Sequence, residues 1–313
     1  MNWSRWGLVA LLCAFPAARG RSELHDLGGA GHMERGYALA GEGNRKEAIE
    51  EYKQALVLNR QALGAKHLRT LTNLNLLASA YLMSGDLAAG EPLLNEIIST
   101  ARELYPRDIQ LAEALGGLSY ILSSRREFAE AQSLAGEALA LSLAIEGEES
   151  VISAMMYANS AEIHRQAGES ARALPLYRKA RTIYEKKLDP AHPRIASLLS
   201  QEGLILMEDN QLTLAGHAMT RAIEMLQESC PGCVTEAWIA ENNLALLRVR
   251  EGNYADADRL LSHVLSMQEK HLARPGLETV RTLQALAAVR EKERRHQDAV
   301  LLIKRADRLL AYQ

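Results

Sequence analysis

The chain has 313 residues with a formal net charge of -3, and aromatic residues make up only 5% of it. This weakly acidic balance supplies no basic field to gather phosphates, so nucleic acid is excluded as an expected partner. Hydrophobic residues reach 48% while aromatic ones are scarce, a balance that suits long helices packed through small residues rather than a strand-based core.

The first twenty residues resemble a secretory signal peptide. Arg5 lies in a short basic start, residues 7–15 form an apolar run, and residues 16–20 are mostly small. A membrane anchor needs about 20 apolar residues, and this run has roughly nine. We therefore expect residues 1–20 to be removed and residues 21–313 to be exported, periplasmic or secreted, with no stable membrane span. The alternative is a membrane-anchored protein that keeps this uncleaved N-terminal segment.

Small residues recur along the rest of the chain at a nearly constant spacing of 42 residues, once 41, and we call them markers. The markers are Ala48, Gly90, Ala131, Ala173, Ala215, Ala257 and Ala299. A second small residue stands twelve positions before each one: Gly36, Ala78, Ser119, Ala161, Gly203, Ala245 and Ala287. The marker and the residues four and seven positions after it share one helical face, where small side chains let a neighbouring helix approach closely. The pattern predicts an all-α fold of antiparallel helix pairs that stack in sequence.

Turn signals give the bounds of these pairs. Glycine turns such as Gly85-Asp86 and Gly252-Asn253 end the first helix of a pair, and Pro or Gly ends the second. The predicted repeats span residues 28–65, 70–105, 109–146, 150–188, 193–229, 234–272 and 277–313. Because the period is continuous, we expect one solenoid over residues 21–313 rather than separate globular domains.

The last predicted helix, residues 297–313, has no further repeat of this kind after it. Lys304, Arg305, Asp307 and Arg308 give it a polar exterior. Terminal repeats need a polar outer face, so we expect this helix to act as its own cap.

Two cysteines of the exported chain, Cys230 and Cys233, flank a Pro-Gly pair in a linker. In an oxidising compartment they predict one local disulfide. Thiol oxidoreductases use the same spacing, so the alternative function is an exported thiol-redox or redox-sensing protein acting through Cys230 and Cys233. The sequence carries no other catalytic, cofactor or metal motif, and we expect no enzyme activity, no cofactor and no metal site.

The order of small residue, bulky residue, glycine turn and alanine resembles the tetratricopeptide repeat. Residues 242–247 leading to 252–257, residues 85–94 and the linker 188–193 are similar to repeats of the kinesin-light-chain type. The resemblance covers nearly the whole exported chain and implies a right-handed superhelical solenoid of about seven antiparallel helix pairs. It specifies a fold well and a function poorly, because such repeats serve many roles.

The resemblance also implies which residues line the concave groove. In this family the inward positions of the first helix fall 18, 15, 14, 11, 8 and 7 residues before the marker. Among these positions are Asn75, Asn159, Asn242, Asn243, Tyr120, Glu162, Arg165, Arg250 and Lys292. An Asn side chain can hold both the amide and the carbonyl of an extended peptide, so we expect a non-enzymatic scaffold that binds a peptide or protein segment in this groove.

Three alternatives to this groove stay open. The amides of the Asn residues could instead join neighbouring helices. Arg165, Arg250 and Lys292 could form a solvated face of mixed charge rather than a patch for an acidic segment. Partners could also assemble on the convex face.

Overall fold

A computed structural model describes residues 29–41, 44–190, 192–229, 233–272 and 276–311. Every regular element in these ranges is an α-helix, and the helices form seven consecutive pairs. The predicted all-α helical repeat fold is therefore confirmed. The predicted signal peptide, residues 1–20, and Cys230 lie outside the described residues.

The chain divides into two compact units between Lys187 and Leu188. The first unit contains α1 (Ala30–Gly41), α2 (Arg45–Leu63), α3 (Leu68–Ser84), α4 (Leu87–Leu104), α5 (Ile109–Ser124), α6 (Phe128–Glu146), α7 (Val151–Gln166) and α8 (Ser170–Lys187). The second contains α9 (Pro193–Glu208), α10 (Leu212–Ser229), α11 (Val234–Arg250), α12 (Tyr254–His271), α13 (Leu277–Lys292) and α14 (His296–Ala311). Odd-numbered helices are the first helices of the pairs. One continuous solenoid over residues 21–313 stays a prediction.

Small residues lie where two helices approach each other most closely. All seven markers are buried. A Cβ atom added to Gly36 would lie 2.6 Å from Cε1 of Tyr52, and one added to Gly203 would lie 2.7 Å from Cγ of Met219. The period in the sequence thus reflects helix-to-helix distances within each pair, because a larger side chain at these positions would push the helices apart.

The core of each unit lies between the two helices of a pair and the next first helix. Fully buried apolar side chains of the first unit include Tyr52, Leu71, Leu74, Ile97 and Leu115, and those of the second include Ile205, Met219, Leu247, Val264 and Leu283. Burial of such side chains supplies the main favourable term in folding.

From the second pair onward, the turn between the two helices of a pair uses one residue in the left-handed region. Gly85 and Gly252, with φ of 82° and 77°, occupy it as the turn signals predict. Arg126, Asn210 and Arg294 take the same conformation in other pairs, with φ of 68°, 61° and 63°. These three turns carry no glycine, so the sequence pattern does not reveal them.

Histidine caps the first helix of a pair once in each unit. Nδ1 of His67 accepts a hydrogen bond from the backbone N–H of Arg69 at 3.1 Å, and Nδ1 of His192 accepts one from Arg194 at 3.2 Å. Burial is the main reason that the pKa of His192 is lowered, and this favours the neutral ring that the bond requires.

Candidate peptide-binding site

The candidate site consists of side-chain amides on the first helices of the pairs, at the positions 14 and 15 residues before the marker. We call it the amide level and define it by Asn75 of α3, Asn159 of α7, Gln201 of α9, and Asn242 and Asn243 of α11. All five residues are buried, with Asn159 and Gln201 1% exposed and Asn242 7%. The level is therefore packed within its unit rather than open to solvent.

In the first unit, the Asn side chains donate to neighbouring first helices. Nδ2 of Asn75 donates to the backbone O of Gln110 at 3.0 Å and to its Oε1 at 2.8 Å. Nδ2 of Asn159 donates to the backbone O of Gly116 at 3.2 Å and to Oγ of Ser119 at 3.0 Å. These contacts match the alternative in which the amides join helices, and they correct the expectation that both donors face a peptide.

In the second unit, Nδ2 of Asn243 on α11 donates to Oγ of Ser200 on α9 at 2.9 Å. This bond links two first helices that contact each other. Asn243 therefore has a structural partner of the same kind as Asn75 and Asn159, and one of its two amide donors is already used.

The acceptor oxygens at the amide level behave differently from the donors. Oδ1 of Asn159 in the first unit, and Oε1 of Gln201 and Oδ1 of Asn242 in the second, are buried without a hydrogen-bond partner in the described part of the chain. A buried acceptor without a partner costs about 1–3 kcal/mol, and native proteins keep few of them. The amide level consequently offers hydrogen-bond acceptors rather than balanced pairs of donors and acceptors.

Glu162 and Arg165 of α7 form a buried ion pair. Nε of Arg165 donates to Oε2 of Glu162 at 2.9 Å and Nη2 donates to Oε1 at 2.5 Å, with both side chains at most 2% exposed. The hydroxyl of Tyr177 on α8 also donates to this carboxylate, and Nε2 of Gln166 does so at 2.9 Å. Both residues are predicted groove residues, but their charges neutralise each other inside the unit.

The electrostatics of this cluster follow from burial and charge. Burial is the main reason that the pKa of Tyr177 lies well above its ordinary value, with the Glu162 charge adding to it. Burial alone would lower the pKa of Arg165, but the Glu162 carboxylate raises it above its ordinary value. The tyrosine therefore stays protonated and the arginine stays charged, which fixes the donors of the cluster.

The remaining predicted groove residues are more exposed. Tyr120 on α5 is half-buried. Arg250, at the end of α11, and Lys292, at the end of α13, are exposed. Arg165 is buried and paired, so it does not extend a basic patch toward these two cations.

One titratable group of the inward positions was not selected from the sequence. Glu113 of α5 lies 18 residues before its marker and is half-buried. Burial, with the charges of Asp108 and Glu146, raises its pKa to about 8. The sequence shows that a glutamate occupies this inward position. It does not show that Asp108 and Glu146 lie near enough to affect it, because that depends on how the helices pack.

Chemistry outside the amide level is limited. Cys233 is disulfide-bonded, and because Cys230 lies outside the described residues, the pairing of the two stays a prediction. Within the described ranges, no group of three or more His, Cys, Asp or Glu residues could hold a metal ion. None of the helices that the structure describes is both long and apolar enough to cross a membrane.

Sequence reasoning missed the residues that complete the site. Gln110, Ser119 and Ser200 accept from the Asn side chains, and Tyr177 donates to Glu162. Ser119 lies twelve residues before its marker and Tyr177 lies four residues after its marker. The repeat pattern therefore predicts that both pack between helices, but it does not predict their hydrogen bonds. Only the distance between adjacent helices could have done so.

Comparison with known proteins identifies repeats in the chain. One tetratricopeptide repeat model matches residues 30–103, and another matches residues 111–151 and 153–194, together about half of the 313 residues. No curated protein sequence matches the chain significantly.

Solved structures share the fold at low sequence identity. A Rap protein complexed with Competence and Sporulation Factor has a TM-score of 0.67 and 14% identity, covering 90% of this chain and 74% of its own. The apo quorum sensor NprR from B. thuringiensis has a TM-score of 0.65 and 14% identity, covering 90% and 76%. The TPR-like repeats of a kinesin light chain candidate from P. anserina have a TM-score of 0.52 and 17% identity, covering 64% and 94%.

Proposed function

Because the chain belongs to the tetratricopeptide repeat family, with repeats of the kinesin-light-chain type, we propose that it is a non-enzymatic scaffold that binds an extended polypeptide at its amide level. Tetratricopeptide repeats bind protein partners, and a protein-interaction scaffold is the function that the fold supports. The Rap protein was solved with Competence and Sporulation Factor bound, which supports ligand binding by this fold.

The observation that carries the proposal is the pair of acceptors without partners in the second unit. Oε1 of Gln201 on α9 and Oδ1 of Asn242 on α11 lie on adjacent first helices. The backbone N–H groups of an extended segment are donors that both oxygens can accept, whatever the side chains of that segment. Since both residues are buried, binding requires the two side chains to turn toward the ligand.

Flanking residues can supply selectivity. Arg250 and Lys292 are exposed on the same unit, and they favour a segment with a carboxylate near one end. In the first unit Glu162 and Arg165 neutralise each other, so neither of these two residues selects a ligand by its charge.

The experiment selects peptides from a displayed random library with the full chain and then replaces each peptide N–H in turn by an N-methyl group. Two N-methylated positions should lose binding, each by about 1–3 kcal/mol, or roughly 5- to 150-fold. Gln201→Leu and Asn242→Leu should each weaken the parent peptide and abolish the sensitivity of one position. Titration calorimetry measures both effects.

The matched control is Gln227→Leu, the same substitution at an exposed position of α10. It should leave binding unchanged. Removing a buried acceptor without a partner should also leave the free energy of unfolding equal or higher, so that lost binding is not lost folding. Peptides that bind equally well when N-methylated throughout would contradict the proposal.

We also propose that the chain is exported to the periplasm or secreted. The apolar run of residues 7–15 supports this, and so does a disulfide-bonded Cys233, because disulfides persist in oxidising compartments. N-terminal sequencing of the protein from an extracytoplasmic fraction should find a start near residue 21. A full-length chain in the cytoplasm would contradict it.

A further inference from the structure

The last helix, α14, leaves one face uncovered that α10 and α12 bury. This end face consists of the residues 1, 4, 8 and 11 positions after the marker Ala299: Val300, Ile303, Asp307 and Leu310. Ile303 is 40% exposed and Leu310 is 42% exposed. Met219 and Leu226, their equivalents in α10, are no more than 2% exposed.

Contacts in the second unit explain the difference. α10 packs against α11 and α12 packs against α13, whereas no helix after α14 is described. A Cβ atom added to Gly216, one position after the marker in α10, would lie 3.5 Å from Cδ2 of Leu247 on α11. Position 8 after the marker is Ile223 in α10 and Leu265 in α12, both buried, whereas α14 has an exposed Asp307. The expected polar cap is therefore incomplete, since three of the four end-face residues are large and apolar.

We propose that the end face of α14 binds the end face of a second copy of this chain in an antiparallel, two-fold arrangement. The two-fold axis crosses α14 at the height of residue 305. Val300 of each copy then faces Leu310 of the other, and Ile303 of each copy faces Asp307 of the other. Residues on one helical face recur every three or four positions, so all four contacts form together. The Val300–Leu310 contacts therefore cover the apolar residues at both ends of the end face.

Charge complementarity selects a second copy as the occupant. Lys304 and Asp307 are exposed, and neither has an ion-pair partner in the described ranges, whereas Arg305 pairs with Glu269 of α12. The antiparallel arrangement places Lys304 of each copy beside Asp307 of the other. Each Asp307, which interrupts the apolar stripe, is thereby neutralised by Lys304 of the other copy, and the two-fold symmetry forms this ion pair twice.

A single helix pair is a small interface compared with the roughly 1,200 Å² or more that stable complexes bury. Self-association should therefore be weak and concentration-dependent. This inference is independent of peptide binding at the amide level, because it uses other residues of another helix.

Sedimentation equilibrium of the full chain tests the inference. The average mass should rise from monomer toward dimer as the concentration increases from micromolar to submillimolar. Ile303→Asp should raise the dissociation constant at least about tenfold. Leu301→Asp is the matched control, because Leu301 is 63% exposed and lies beside the end face rather than on it.

A charge exchange separates this arrangement from other modes of association. Lys304→Asp and Asp307→Lys should each weaken the dimer, because like charges then meet, and the double variant should restore it. Both positions are exposed, and circular dichroism confirms that each variant folds. A chain that stays monomeric throughout, a double variant as weak as the single ones, or a stronger effect of Leu301→Asp than of Ile303→Asp would overturn the inference.

Discussion

Removal of the Glu162 charge should strongly destabilise the first unit. In Glu162→Gln, the guanidinium of Arg165 stays only 2% exposed but loses the carboxylate that it contacts through two nitrogens. Breaking a buried ion pair from one side costs about 3–5 kcal/mol, because the remaining buried charge is no longer compensated by the carboxylate. We expect Glu162→Gln to lose a free energy of unfolding in this range.

The ion pair itself should contribute much less than this loss. A variant with Glu162→Leu, Arg165→Met and Tyr177→Phe removes both charges and the hydroxyl that donates to the carboxylate. Well-packed apolar replacements of a buried pair are often neutral or stabilising. The triple variant should therefore be closer in stability to the native chain than Glu162→Gln is, although it carries three changes.

Urea unfolding followed by circular dichroism and by intrinsic fluorescence measures these differences. Repeat proteins can unfold in parts, so the comparison holds where the two probes give coincident transitions. A loss below about 1 kcal/mol for Glu162→Gln, or a triple variant less stable than the single one, would refute the reasoning.

Three further changes test packing and protonation. Gly36→Ala should destabilise the first unit by about 1–3 kcal/mol because its Cβ meets the buried Tyr52 ring, whereas Gly41→Ala on the same helix, with nothing within 4 Å, should be neutral; urea unfolding of both variants decides. The pKa of Glu113 is raised from 4.5 to about 8, so its contribution to stability is present at low pH and is lost as the pH rises through that range. Thermal melting of Glu113→Gln should therefore depend less on pH there, and an unchanged profile would contradict this. The pKa of His192 is lowered from 6.5, so the native chain should lose stability as the pH falls below that value, while His192→Asn, which caps in any charge state, should lose less in the same melting experiment.

The fold was predictable because its main constraint is periodic. Ala48 and its six equivalents mark the closest approach of helices, and a period of this kind survives in the sequence as small residues. The turns at Arg126 and Arg294 were not predictable, since arginine is not enriched in the left-handed region. The polar cap expected from Lys304 and Arg308 is incomplete, because the apolar Ile303 directly before Lys304 is 40% exposed.

The candidate site was predictable by position but not by contact. Asn159 lies at the expected level, yet its hydrogen bonds depend on how closely α5 approaches α7 at Gly116, where an added Cβ would lie 3.3 Å from Sδ of Met156. The distance between α5 and α7 is set by packing throughout the first unit, so it cannot be read from the residues around Asn159 alone. Arg165 similarly reads as a groove cation until the position of Tyr177 on the next helix is known.

Helix chemistry explains why the partnerless atoms at the amide level are all oxygens. A backbone carbonyl in a helix has a second lone pair, so Gly116 can accept from Asn159 while keeping its helical bond. Backbone N–H groups inside a helix have no such spare capacity. Side-chain amides packed against a neighbouring helix therefore find acceptors for their nitrogen more easily than donors for their oxygen. Oε1 of Gln201 and Oδ1 of Asn242 are two such buried acceptors, and in the proposed function the ligand brings N–H groups to them, which an extended polypeptide presents along its whole length.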